Sequence, residues 1–287
     1  MSGKEHFSLL VVTTDRVASV RRLFTSLCAQ TYREFSLVFV FEDKCEQEAL
    51  ALAGEFSAHF PILPITTSCC GVSRARNIGI PHLTGEYIAF PDDDCIYHPE
   101  TLERAAYMFS RHPEVDAFLG RRLNPGTMPG TRKMGGKVRP LGLYFLFHCS
   151  ETFLQFYRRA CVDALGDWDE MLGGGTQYPY GCGEDTDYVL RAHLKGCNVV
   201  RAPAVGVEHP SVNYDHPQLL QKTASYAHGR MFLLRKHQLP LWFRLANVIY
   251  PLFCLPAEFI RHGGKGAAYR WRMFLSRAKH LAVTNEE

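Results

Sequence analysis

Three consecutive carboxylates, Asp92, Asp93 and Asp94, directly follow the apolar run Tyr87-Ile88-Ala89-Phe90. They therefore fall at the carboxyl end of a strand, where open α/β sheets bind ligands. Like charges packed there are costly unless something neutralises them. A divalent cation does so, and Mg²⁺ or Mn²⁺ prefers a few carboxylates with substrate phosphate oxygens completing its shell. The competing reading is an exposed acidic turn ahead of a helix that begins near Pro99. A second acidic cluster, Gly183-Glu184-Asp185-Thr186-Asp187, opens a helix over 185–195. A carboxylate there can be oriented by backbone N–H groups and take the proton of a substrate hydroxyl, although such a residue is also an ordinary helix cap. Gly71-Val72-Ser73-Arg74-Ala75-Arg76-Asn77-Ile78-Gly79 sets two arginines near a helix start, which suits phosphates. On its own it is equally a basic surface helix. No GxxxxGK[ST] or GxGxxG stands in a suitable place, which argues against a P-loop or a dinucleotide site.

The elements that must carry these residues follow from periodicity. Residues 7–12 and 36–41 are short apolar runs of the kind that form buried parallel strands, and Val20, Leu23, Phe24 and Leu27 recur between them at helical spacing. Ala49, Leu52, Ala53 and Phe56 mark a second helix, then come a strand at 62–66, a helix through 72–80 and a strand at 87–90. Such alternation predicts an α/β, doubly wound sheet with helices on both faces. Past residue 121, Asn124-Pro125-Gly126, Pro129-Gly130 and Gly135-Gly136 punctuate a basic, loop-like stretch. Residues 145–157 read as apolar strand material and Gly173-Gly174-Gly175 as a flexible loop. From about residue 231 the chain is helical, aromatic and basic. Three parts result: 1–121, 122–230 and 231–287.

The 287 residues, 46% hydrophobic and 21% charged, are ordinary for a folded protein. A net charge of +3 excludes little by itself and gives no sign of a nucleic-acid partner. Its distribution is uneven: residues 221–287 hold eleven Lys/Arg against three Glu, leaving 21 basic and 26 acidic residues in the first 220. A basic tail fits an anionic surface or a solvated face. The ten cysteines lack paired spacing, and Cys69-Cys70, Cys182 and Cys197 have no CxxC or HxxxH partners to make a zinc site. They read as reduced thiols of a cytoplasmic protein. The run at 7–12 is too short for a signal peptide. The uncharged stretch 245–257, thirteen residues broken by Pro251 and Pro256, falls short of the roughly 20 a membrane span needs.

Taken in order, strand-Thr13-Thr14-Asp15-Arg16, strand-Glu42-Asp43, GVSRARNIGI, YIAFPDDDCIYHP and GGG…GCGEDTDYVLRA resemble the family 2 glycosyltransferases over roughly residues 7–210. The resemblance implies a GT-A fold, a Rossmann-like, mostly parallel mixed sheet flanked by helices, here with a helical C-terminal extension. It implies that the first half binds a nucleotide-sugar donor and the second an acceptor. Thr13, Asp15 and Arg16 match the loop that touches the nucleotide, Glu42 and Asp43 the base and ribose contacts, and Arg76 the arginine near the phosphates. Asp92 and Asp93 match positions at the ribose and donor, Asp94 the ligand of Mn²⁺ or Mg²⁺, and Asp185 the catalytic base of an inverting displacement. His209 matches histidines near the metal or diphosphate, while Trp168, Gly174 and Glu184 fall on the acceptor side. One departure is Glu42-Asp43-Lys44-Cys45, where the family usually has two aspartates and Gly-Ser. Relatives of this kind in bacteria often use a lipid-linked glycan in surface-polysaccharide assembly, so the basic tail fits peripheral contact with the inner face of the plasma membrane. Two other readings are a non-catalytic nucleotide-sugar binder or membrane scaffold, and a sugar nucleotidyltransferase. Thr13-Thr14-Asp15-Arg16 lacks the glycine-rich basic loop of the latter.

Overall fold

The structure is a computed structural model, and it describes residues 6–68, 71–127 and 138–281. Cys69-Cys70, Pro129-Gly130 and Gly135-Gly136 lie outside these residues. The chain divides into two compact units, one of residues 1–168 and 188–211, the other of residues 169–187 and 212–287.

The first unit begins with β1 (Phe7–Thr13), α1 (Val17–Cys28), β2 (Phe35–Glu42), α2 (Glu46–Phe56), β3 (Ile62–Thr67), α3 (Val72–Gly79) and β4 (Tyr87–Ala89). It continues through β5 (Ile96–Tyr97), α4 (Thr101–Arg111), β6 (Ala117–Leu123), β7 (Arg139–Pro140), α5 (Leu143–Leu146), β8 (Gln155–Arg158) and α6 (Arg159–Leu165). Helix α7 (Glu184–Leu194) and β9 (Val199–Glu208) come next in the chain. The strands form one sheet in the order β3-β2-β1-β4-β8-β6-β9-β5, with β7 paired to β9. β1 pairs in parallel with β2 and β4, and β2 with β3, whereas β8 runs antiparallel to β4 and β6. The sheet is thus mixed, with its parallel part formed by the alternating elements that the apolar periodicity outlines.

β1 and β2 are nearly continuous apolar runs because both faces are covered, as buried parallel strands require. Val20, Leu23, Phe24 and Leu27 of α1 and Ala49, Leu52, Ala53 and Phe56 of α2 are all buried in one core. On the other face, Gly79 lets α3 lie against β1, since a Cβ there would overlap the Leu10 side chain. Arg76, one turn earlier, is thereby held close to the sheet edge.

Two sequence expectations are corrected, and two strands go unannounced. Residues 145–157 are not one strand: α5 and a 3₁₀ turn at Thr152–Leu154 precede the four-residue β8, and Leu146, Phe147, Phe153 and Leu154 are buried from helix and turn rather than from a strand. β6 and the ten-residue β9 have no strong alternation to announce them. The C-terminal stretch, in the second unit, is longer than its apolar run: α8 (Leu219–Lys236) is followed by α9 (Leu241–Lys279), which carries Pro251 and Pro256 and breaks only at Gly263, with φ of 60°. An 18-residue window of α9 has mean hydropathy 1.3 and is 22% buried, so its length and composition suffice to cross a membrane.

Candidate active site

At the carboxyl ends of β1, β2 and the strand run before Pro91, the sheet brings together residues of the first unit that the resemblance places on the donor side. Val12 bridges Asp92 in parallel, which sets Thr13 beside Asp93. The Thr13 hydroxyl donates to Asp93 Oδ2 at 2.6 Å. Arg16 forks across two carboxylates: Nε and Nη2 reach Asp93 at 3.1 and 2.5 Å, and Nη1 reaches Asp94 Oδ2 at 2.6 Å. Arg76 Nη2 lies 3.4 Å from Asp92 Oδ1. His209, at the end of β9, points Nε2 at Asp94 Oδ1 (3.1 Å) and lies 3.9 Å from Asp92 Oδ2. Its ring stacks on Phe153 with centroids 4.3 Å apart, and Nδ1 is 2.8 Å from the Pro210 carbonyl.

This arrangement alters the charge reasoning. The three aspartates sit on a turn closed by the Cys95 N–H on the Asp92 carbonyl, and the cations facing them come from the chain itself. Asp93 is 3% exposed, while Arg16 is 55% exposed and open to an incoming anion. Burial pushes the Asp93 carboxyl up to about 6 against the opposing pull of Arg16 and Thr13. Burial also acts to raise Asp94, but His209 and Arg16 outweigh it and hold the carboxyl down at about 2. For His209 burial acts to lower the value, and the hydrogen bond to Asp94 with the charges of Asp92 and Asp94 raises it instead.

Glu42 ends β2 one residue beyond the Thr13–Phe41 pair, so it joins the same edge. Lys44 Nζ is 3.1 Å from Glu42 and 4.0 Å from Asp15, and Asp43 opens a short 3₁₀ turn. Asp15 and Asp43 are exposed. A metal ion has a partial cradle here. Among the described residues no three His, Cys, Asp or Glu side chains converge as a complete ligand set. Asp94 and His209 nevertheless make a carboxylate–imidazole pair, and the Nδ1 contact of His209 favours the tautomer that leaves Nε2 as the ligand. One or two protein ligands plus phosphate oxygens is the usual need of Mg²⁺ or Mn²⁺, so the residues fit.

Trp168, expected on the acceptor side, is buried at 2% exposed. It stacks on Tyr188 (4.0 Å) and meets Phe90 edge-on (5.1 Å), with the Arg76 guanidinium 4.6 Å over its ring. Asn77 fixes its backbone in both directions, donating to the Trp168 carbonyl at 3.0 Å and accepting its N–H at 2.7 Å. Trp168 therefore acts as a wall that stiffens Arg76.

In the second unit, Asp185 lies in the first turn of α7, half-buried, and its Oδ1 accepts the Thr186 N–H at 2.5 Å and hydroxyl at 3.2 Å. Glu184 is its half-buried neighbour, and Gly174 is exposed on the loop after Asp169-Glu170. Burial and the charges of Glu184 and Asp185 push the Cys182 thiol up to about 12, so it is no nucleophile. Sequence reasoning missed Phe153, which stacks on His209, and Lys236 and His237, which pair with Asp187 behind the turn of Asp185.

The comparisons agree with this geometry. The family described as Glycosyl transferase family 2 matches residues 8–164, more than half the chain, and spans the strands and turns bearing Thr13, Arg16, Arg76 and the aspartates. An uncharacterized glycosyltransferase of Haemophilus influenzae is 29% identical over 110 residues, 38% of this chain, which thus spans about a third (36%) of that relative's length. The uncharacterized glycosyltransferase YwdF of Bacillus subtilis is 25% identical over 212 residues, 70% of this chain and 72% of the relative. Among solved structures, S. aureus TarS 1–349 in complex with UDP-GlcNAc superposes with TM-score 0.61 at 15% identity, covering 96% of this chain and 92% of TarS 1–349. A Pyrobaculum calidifontis mannosyltransferase in complex with GDP-Man and Mn²⁺ gives TM-score 0.61 at 14% identity, covering 97% and 74%. With sheet, site edge and family match in register, the chain belongs to glycosyl transferase family 2 and has the GT-A fold.

Proposed function

We propose that this enzyme transfers a hexose from a nucleoside-diphosphate sugar, a UDP-sugar foremost, to a hydroxyl of a glycan or lipid-linked glycan in polysaccharide or glycoconjugate synthesis. The observation that carries this reading is the edge where Thr13, Arg16, Arg76, the aspartate turn and His209 meet. TarS was solved with UDP-GlcNAc and the mannosyltransferase with GDP-Man and Mn²⁺, which supports a donor of this class.

Each side chain then has a task. Arg16 and Arg76 offer guanidinium charge to the diphosphate, and Asp93 anchors Arg16 by pairing with its fork. Glu42, Asp43 and Asp15 receive the base and ribose, and Asp92 serves the ribose and donor. Asp94 and His209 would hold Mn²⁺ or Mg²⁺, which supplies positive charge to the departing diphosphate. Asp185 takes the proton of the acceptor hydroxyl as that oxygen attacks the anomeric carbon. A single displacement inverts that centre. Glu184 and the Gly174 loop face the acceptor.

The cytoplasmic enzyme works in peripheral contact with the inner membrane face. Trp242, Ile249, Phe253 and Ile260 of α9 are 65%, 42%, 80% and 83% exposed and recur at helical spacing, while Arg261, Arg272 and Lys279 lie exposed farther on. Apolar and basic faces together suit an anionic bilayer surface. Flotation with anionic liposomes should carry the enzyme upward and leave a Trp242→Ser/Phe253→Ser/Ile260→Ser variant behind; equal flotation would refute the contact.

For the reaction itself, a thermal-shift screen of UDP-, GDP- and dTDP-sugars with and without Mn²⁺ is the test. A true donor at 100-fold over its Kd stabilises the protein by about 2.7 kcal/mol. No stabilisation by any of them would defeat the reading.

A further inference from the structure

We infer that Asp187, Lys236 and His237 clamp the turn that carries the base, making Lys236 and His237 positioning residues for glycosyl transfer; the inference rests on Asp185 as that base. Asp187 has no exposed surface. Its Oδ1 accepts from Lys236 Nζ at 2.6 Å and pairs with His237 Nε2 at 2.7 Å. The same Lys236 ammonium donates to Asp169 Oδ2 at 2.7 Å, and Asp169 Oδ1 accepts the Met171 N–H at 2.9 Å. One cation thus joins the first turn of α7 to the segment leading into the glycine loop.

A carboxylate this deeply buried is costly unless paired and hydrogen-bonded, so Asp187 does not sit here as a solvated helix cap. Its partners are adjacent residues at the end of α8, where the His237 N–H closes the helix on the Leu233 carbonyl at 3.2 Å. Gly229, about two turns earlier, lets α8 approach the chain at Cys182, because a Cβ there would overlap the Cys182 carbonyl. The clamp therefore acts on a turn already held close.

Helix geometry gives the consequence. Successive residues are rotated by about 100°, so side chains two apart point about 200° apart. With Asp187 drawn inward, Asp185 is held on a different, half-buried face of the turn, and the Asp187 N–H on the Gly183 carbonyl (2.8 Å) closes the turn around them. Loosening the clamp lets this turn rotate, and a displacement of about 1 Å in a reacting group costs on the order of 100-fold in rate. None of the clamp residues belongs to the donor-side set, so donor affinity should not follow.

The test uses the full-length protein and the variants Lys236→Met, Lys236→Arg and Asp185→Asn. Hydrogen exchange on the protein alone reads the turn without substrate: Lys236→Met should speed exchange at amides 184–188 by about tenfold or more while leaving β1 unchanged. Turnover of UDP-GlcNAc to UDP and free sugar with Mn²⁺ should lose about 10- to 100-fold in kcat, with donor KM within about twofold, and Lys236→Arg should recover part of it. Unchanged exchange, or an unchanged kcat in folded Lys236→Met, overturns the clamp. Faster exchange and lost kcat in Lys236→Met beside full turnover in Asp185→Asn would keep the clamp and overturn the assignment of the base.

Discussion

Replacing Arg16 by leucine should destabilise the protein far more at pH 8 than at pH 5. Asp93 is nearly inaccessible and its carboxyl stands at about 6, against an ordinary 3.8. A carboxyl raised in the folded state gives stability that is complete below its unfolded value and lost as pH rises through the folded one. The two-unit gap corresponds to about 3 kcal/mol lost between roughly pH 4 and pH 7. Arg16 opposes that loss, and without it the ionised Asp93 has only Thr13 to accept from. Because Arg16 is more than half exposed, its charge is screened, and the discount brings its share to about 1–2 kcal/mol. At pH 5 Asp93 is mostly protonated, so this share nearly vanishes. Asp94, at about 2, is ionised at both pH values, and its loss cancels in the difference. Urea unfolding of both proteins at pH 5 and pH 8 measures it. A destabilisation equal at the two pH values would refute the reasoning.

His228, stacked on His280 with ring centroids 3.6 Å apart, is held down at about 4 by burial and by the charges of His280, Arg235 and Lys279. Stability is therefore kept above pH 6.5 and lost as pH falls towards 4, by about 1–2 kcal/mol after allowing for partial exposure; His228→Gln should flatten that slope in unfolding curves. Trp168→Ala should cost about 3–5 kcal/mol in urea unfolding, since the ring is buried between Tyr188, Phe90 and Arg76, and donor KM should rise as Arg76 loosens. Proton NMR of the first-formed product should show inversion at the anomeric carbon; retention would exclude the single displacement.

The parallel half of the sheet was legible because buried strands and amphipathic helices leave local signatures: Val20, Leu23, Phe24 and Leu27 fall on the face their spacing predicts. The aspartate turn was legible through the strand before it. Illegible were contacts whose partners are remote in sequence and unremarkable in type. His209 was legible only through the family resemblance, being separated from Asp94 by the whole of β6 and β8, and Trp168 is held by Asn77, 91 residues away. Nothing in the sequence around Trp168 reveals that it is buried and stacked on Tyr188. The part Arg16 plays in the charge balance of the aspartates was illegible for the same reason, since no spacing rule brings it onto Asp93 and Asp94. In α9, two prolines suggested a broken stretch, yet the helix runs through them and leaves Phe253 and Ile260 exposed.

The central claim is tested most directly by giving Asp185→Asn and the unchanged protein the nucleotide sugar that stabilises them, with Mn²⁺, and measuring nucleoside diphosphate release beside donor binding. The account predicts that release falls by about 100-fold or more, in the range of losing a general base, while donor Kd stays within about twofold. Release at the unaltered rate, or a Kd that weakens in proportion, would contradict it.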